Sequence, residues 1–152
     1  MRSRIGEGKM QDQYGRVIDY LRISVTDQCN LRCVYCMPRE ENLRFLPKDE
    51  LLTDEEIVRL CRIFADIGIS RIKFTGGEPL LRKGLADLVF RIGQIPGVKE
   101  MTLTTNGVLL KDQIGALYQS GISSVNISLD AAQKEHFSSI AGIDYFEQVM
   151  EG

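Results

Sequence analysis

The sequence has no long apolar run, little net charge, four cysteines and a single histidine among its 152 residues. No stretch is long enough to span a bilayer, and residues 1–16 lack the apolar segment of a signal peptide. The formal net charge of −2 creates no basic field that would attract nucleic acid or an anionic membrane. These absences predict a cytoplasmic protein with no nucleic-acid and no membrane partner.

The composition that remains is that of an ordinary folded domain, with 43% hydrophobic and 26% charged residues. A chain of this length can bury about 70% of its unfolded surface, which is enough for a substantial core. We expect residues 1–13 to form a flexible leader. Residues 14–152 should form one domain, since no linker interrupts them.

Strand and helix patterns alternate along the chain in the order βαβαβαβα. Strands are predicted over residues 20–26, 71–75, 100–105 and 124–129. Helices are predicted over residues 54–67, 84–95, 111–120 and 133–140, with another beginning at 145–150. A capping box, Thr53 with Glu56, marks the start of the first helix, and Gly68 follows its end. This alternation predicts a parallel sheet with right-handed crossovers.

Each predicted strand has one apolar and one polar face. In the second strand, Ile72 and Phe74 alternate with Lys73 and Thr75, and the other strands follow the same pattern. Parallel strands covered on both faces are nearly continuously hydrophobic, so an open doubly wound sheet fits less well. We predict an α/β fold made of the first four βα units of a partial (β/α) barrel, with the helices on its outer face. Residues 26–29, 75–79, 104–107 and 128–131 would then share the rim where barrels place their active sites.

Three of the four cysteines are crowded into the spacing Cys29-x3-Cys33-x2-Cys36. Thiolates suit iron–sulfur clusters, zinc and copper(I), and three of them on a cubane cluster leave one iron open. A structural zinc ion needs four ligands, for which the sequence offers only the distant His136 and Cys61, a predicted core residue. A redox disulfide is a further alternative, made less attractive by the third thiol beside the Cys33–Cys36 pair.

This cysteine spacing, followed by the run Gly76-Gly77-Glu78-Pro79, resembles the radical S-adenosylmethionine (SAM) superfamily. The resemblance implies a [4Fe–4S] cluster on the three cysteines, whose open iron is chelated by SAM. Reduction by one electron then cleaves SAM to methionine and a 5′-deoxyadenosyl radical, which abstracts a hydrogen atom from the substrate.

The longer run from Tyr20 to Pro38, together with residues 45–48, 50–53, 75–80, 103–107 and 126–131, resembles the GTP 3′,8-cyclase family. These lyases convert GTP to 3′,8-cyclo-7,8-dihydro-GTP in the first step of molybdenum cofactor biosynthesis. The partners implied are GTP, an electron donor of the flavodoxin or ferredoxin type, the next enzyme of that pathway and a second copy in a homodimer.

The same resemblance assigns the ligand contacts. SAM contacts fall on Tyr35, Gly76, Gly77, Glu78 and Ser128, and GTP contacts fall on Arg22, Lys73 and Thr104. Strand alternation independently places Arg22, Lys73, Thr104 and Ser128 on the polar face, and cationic side chains suit a triphosphate.

Two positions depart from the family pattern, because Lys73 and Gln28 stand where arginine is usual. A lysine supplies a point charge instead of a fork of donors. We expect Asn106 and Asp130 to be turn residues and His136 to lie on the surface.

Length limits what the resemblance implies. A complete (β/α) barrel takes about 250 residues, and four βα units are predicted here. The family's second cysteine-bound cluster and its paired C-terminal glycines have no counterpart in this sequence. We therefore expect the N-terminal half of such an enzyme. The alternatives are a different radical SAM enzyme, such as a peptide-modifying maturase, and an inactive truncated fragment.

Overall fold

The computed structural model describes residues 10–37 and 44–152, so residues 1–9 of the predicted leader lie outside the described residues. Its centre is a parallel sheet in the order β1-β2-β3-β4. The strands are Tyr20–Ser24 (β1), Arg71–Thr75 (β2), Glu100–Thr105 (β3) and Ser124–Ile127 (β4). The predicted parallel arrangement is confirmed.

Five α-helices accompany these strands in the described part of the chain. They are Asp54–Asp66 (α1), Leu85–Gly93 (α2), Leu110–Ser120 (α3), Lys134–Ala141 (α4) and Phe146–Glu151 (α5). Sequence patterns missed two 3₁₀ helices, Lys48–Glu50 and Pro79–Leu81, because three residues are too few to show a period.

The predicted boundaries of β1, β4 and α2 were each too wide by two or more residues in total. β1 ends at Ser24 instead of residue 26, because the carbonyl of Thr26 accepts from Gly77 in the loop beyond β2. β4 ends at Ile127, two residues early. α2 begins after Gly84, whose φ of +78° is left-handed and places it outside the helix.

The capping signals of α1 are confirmed. The Thr53 hydroxyl accepts from the Glu56 N–H at 3.2 Å, and the Glu56 carboxylate accepts from the Thr53 N–H at 2.9 Å. Gly68, just beyond the helix, has a φ of +103°. These local bonds satisfy backbone groups that the ends of a helix leave unpaired.

The hydrophobic core lies on one face of the sheet. Phe74 and Leu103 are fully buried there and pack with residues of α1, α2 and α3, among them Cys61 at 1% exposure. Lys73 and Thr104, which alternate with the buried residues, are half-buried on the opposite face. The predicted partial barrel, with one apolar and one polar face, is thus confirmed. Among the described residues, no helix combines the length and apolar character needed to cross a membrane.

Candidate functional site

The loop that leaves β1 carries the three clustered cysteines, all of them free thiols. Cys29 and Cys33 are half-buried, and Cys36 is exposed on a turn in which its N–H donates to the Cys33 carbonyl at 2.9 Å. Burial raises the pKa of both half-buried thiols. A metal that binds here must therefore displace protons from these thiols.

The donor set suits an iron–sulfur cluster. Cys33 lies close enough to the other two thiols that their charges add to the rise in its pKa. A structural zinc ion takes four ligands, and this loop supplies three thiols. Three thiolates can hold a cubane cluster and leave one iron open. By ligand count, the three cysteines therefore fit a cluster better than a zinc ion.

The cysteine loop rests on the last two helices, which sequence patterns did not connect with it. An apolar cluster joins loop and helices through Leu31, Phe137, Ala141 and Val149, with Cys29 and Cys33 packed against it. The N–H groups of Arg32 and Val34 donate to the carbonyls of Ala141 and Ile140 at 2.8 and 2.9 Å. Helix α4 thus supports the middle of the loop.

The two glycines after β2 lie against the segment between β1 and Cys29. A Cβ on Gly76 would overlap the carbonyl oxygen of Thr26, and one on Gly77 would come within 2.6 Å of the carbonyl carbon of Gln28. The N–H groups of Gly77 and Glu78 donate to the carbonyls of Thr26 and Gln28 at 2.8 and 2.7 Å. In this structure the close neighbour that requires glycine is the chain's own backbone.

Glu78 is the one buried carboxylate of this rim among the described residues, with 1% of its surface exposed. It accepts hydrogen bonds from the Leu80 N–H at 3.0 Å and from the Thr105 hydroxyl and the Asn106 N–H, each at 2.7 Å. Burial raises its pKa, and the three bonds oppose that rise. The carboxylate therefore ties the loop after β2 to the end of β3. The predicted SAM contact of Glu78 stays a prediction.

Two residues predicted to serve only as turn residues also contact the cysteine loop. The Asn106 side chain donates to the Asn30 side chain at 2.7 Å, and the Tyr35 hydroxyl donates to the Asp130 carboxylate at 2.7 Å. The bond to Asp130 is also the main cause of the raised pKa of Tyr35. Both residues follow strands at the same rim. Their position there was the one sequence feature that could have predicted a contact with the cysteine loop.

The predicted GTP residues share the polar face of the sheet. Arg22 on β1 lies directly opposite Lys73 on β2, and Thr104 lies on β3. In the described part of the chain, neither cation forms an ion pair or hydrogen bond. Like charges in opposite positions repel, so this pair suits an anion. Ser128 is exposed just beyond β4, and its N–H donates to the Thr105 carbonyl at 2.8 Å. As predicted, His136 is exposed.

Known proteins share both the sequence and the fold of this chain. The family model of the radical SAM superfamily matches residues 23–152. The chain is 47% identical over 143 residues to the GTP 3′,8-cyclase of Thermodesulfovibrio yellowstonii, covering 94% of this chain and 44% of that protein. It is 53% identical over 131 residues to the GTP 3′,8-cyclase of Pelotomaculum thermopropionicum, covering 86% and 40%. It thus spans less than half the length of these relatives.

A solved structure agrees at the level of the fold. Streptococcus suis SuiB bound to S-adenosylmethionine superposes with a TM-score of 0.66 at 20% identity, over 88% of this chain and 30% of that one. This similarity supports the arrangement of strands and helices.

Proposed function

Because this chain belongs to the radical SAM superfamily, we propose that it is the cluster-binding and SAM-binding part of a GTP 3′,8-cyclase. The observation that carries the proposal is the cysteine loop itself, three free thiols on one loop at the end of β1. The identity of 47% to a GTP 3′,8-cyclase over nearly the whole chain supports the choice of reaction.

Different residues of the rim would bind the cluster and SAM. Cys29, Cys33 and Cys36 would hold a [4Fe–4S] cluster and leave one iron open. Such a cluster supplies the electron that cleaves SAM reductively. We assign SAM contacts to the surrounding residues of the rim: Tyr35, Gly76, Gly77, Glu78 and Ser128. Since the Glu78 side chain is 1% exposed, its part in this structure is to hold the loop in place.

The polar face of the sheet would bind GTP. Arg22 and Lys73 lie side by side with no carboxylate paired to them in the described residues, and a triphosphate would neutralise both. Thr104, one strand further along, adds a hydroxyl that can donate or accept a hydrogen bond. The product would be 3′,8-cyclo-7,8-dihydro-GTP.

The remaining partners follow from the proposed reaction. The enzyme would work in the cytoplasm with a flavodoxin-type or ferredoxin-type electron donor. It would pass its product to the next enzyme of molybdenum cofactor biosynthesis, and a homodimer is the proposed assembly.

Anaerobic reconstitution with iron and sulfide tests the cluster. The protein should acquire the broad visible absorbance of an iron–sulfur cluster and cleave SAM when dithionite is added. Cys33→Ala should abolish both. Cys61→Ala is the matched control, because Cys61 lies in the core away from the loop, and it should retain both. SAM cleavage by Cys33→Ala at the wild-type rate would refute the cluster assignment.

Equilibrium binding of GTP tests the substrate. Lys73→Ala should weaken binding, while Lys99→Ala removes an exposed charge just before β3 begins and should leave binding unchanged. A protein that binds the cluster and cleaves SAM but shows no affinity for GTP would contradict the substrate and leave the cofactor assignment intact.

A further inference from the structure

The two ends of the cysteine loop are held differently. At the Cys29 end, the preceding residue is bonded to the rim, because the Gln28 carbonyl accepts from the Glu78 N–H at 2.7 Å. At the other end, Cys36 is exposed on a turn closed by a bond to the Cys33 carbonyl. The residue before Cys29 is thus anchored through its backbone to the loop after β2. Near Cys36 the contact with the rim is made by the exposed Tyr35 side chain, whose hydroxyl donates to Asp130 at 2.7 Å.

Asn106 completes this anchor from the loop after β3. Its amide nitrogen lies 2.7 Å from the side-chain oxygen of Asn30 and 3.9 Å from the sulfur of Cys29. Its amide oxygen accepts from the Val108 N–H at 3.1 Å, and its own N–H donates to the buried Glu78 carboxylate at 2.7 Å. Because the amide oxygen and nitrogen both have partners, the side chain is held in one orientation.

We propose that Asn106 is a positioning residue for Cys29: through Asn30, it holds the first thiol of the loop in place before any metal binds. What Cys29 binds rests on the proposed function, but the positioning does not. A ligand that is already ordered loses less conformational entropy when its metal arrives. Cys29 would therefore be a thiol ligand whose position is set before the metal arrives.

The variant Asn106→Ser distinguishes a positioning role of Asn106 from a role in the turn alone. A serine hydroxyl can still accept from the Val108 N–H, but it is too short to reach Asn30. The readout is the rate at which iodoacetamide alkylates each cysteine of the cluster-free protein, followed by mass spectrometry. Because the thiolate is the reacting form, the rates are measured over a range of pH and compared per thiolate. Cys61 is 1% exposed in the core, so its alkylation reports global unfolding.

In Asn106→Ser, we expect Cys29 to be alkylated about threefold to tenfold faster, the effect of losing one hydrogen bond of ordinary strength. Cys36 and Cys61 should react at unchanged rates. Asn126→Ser, the same substitution at an exposed position on β4, should change none of the three. An unchanged Cys29 rate in Asn106→Ser would overturn the proposal.

Asn30→Ala removes the acceptor from the other side and should produce the same selective increase. Each single variant loses the bond between Asn106 and Asn30, and Asn106→Ser also loses the contact with the Cys29 sulfur. The double variant should therefore react no faster than Asn106→Ser alone. Additive increases would overturn the proposal. If Asn106→Ser also exposes Cys61, Asn30→Ala decides: a rise confined to Cys29 supports the proposal, and no such rise overturns it.

Failure of the cluster assignment can be distinguished from failure of the positioning proposal. A protein that shows the selective alkylation pattern but takes up no iron retains the positioning role and loses the proposed cofactor. A protein that takes up iron but shows equal Cys29 alkylation in all variants retains the proposed cofactor and loses the positioning role.

Discussion

Replacement of Glu78 by glutamine tests the buried junction between the loops after β2 and β3. One carboxylate oxygen accepts from the Leu80 N–H and the Thr105 hydroxyl, and the other accepts from the Asn106 N–H. The glutamine amide can reproduce one oxygen but not both, so its NH₂ group must face a donor. A buried donor left without a partner costs about 1–3 kcal/mol, and the loss of a buried charge offsets part of that cost. We expect a net loss of about 1–2 kcal/mol.

Thermal unfolding of the cluster-free protein at pH 7 measures this loss. For a chain of this size, it corresponds to a fall of about 2–8 °C in Tm. Glu78→Ala leaves all three donors without an acceptor and creates a cavity, so it should lower the free energy of unfolding by at least about 3 kcal/mol. Glu135→Gln, at an exposed site in the first turn of α4, should leave Tm unchanged. Equal stability of wild type and Glu78→Gln, or of the two Glu78 variants, would refute the hydrogen-bond account.

Three further predictions concern stability. Gly77→Ala should cost about 1–3 kcal/mol in thermal unfolding because its Cβ meets backbone, whereas Gly115→Ala, in open space on α3, should stabilise by up to about 1 kcal/mol. Arg82→Lys should cost about 2 kcal/mol in urea unfolding, since lysine cannot reproduce the bonds of the guanidinium to Asp54 and to two backbone carbonyls. The folded state raises the pKa of Glu78 above 4.5, so its contribution to stability falls as pH rises through and above that value. Urea titrations over this range should show wild type losing more stability than Glu78→Gln, and parallel curves would contradict the raised pKa.

Local patterns were enough to predict most of the fold. The order of strands and helices, the capping box of α1 and the burial of Cys61 depend on residues that are neighbours along the chain. The period of two in the strands also predicted which face is buried, because one layer of helices covers only the apolar side. The exact ends of β1 and β4 could not be predicted, since distant loops decide where each strand leaves the sheet.

The cysteine spacing likewise pointed to the site before its geometry was known. The spacing of Cys29, Cys33 and Cys36 and the glycine pair after β2 are contiguous signals, and the comparisons confirm the family that they indicate. The alternation of β1 and β2 placed Arg22 and Lys73 on the polar face, where the register sets them opposite each other.

The sequence by itself therefore determined the family, the order of elements and the two faces of the sheet, because these follow from spacings of a few residues. Only the tertiary structure decided what supports the three cysteines. The buried Glu78 carboxylate, the bond from Asn106 to Asn30 across 76 positions and the support from α4 all join segments far apart in the chain. Such contacts exist only after parallel strands bring their carboxyl ends to one rim, and no local pattern encodes which side chains meet there.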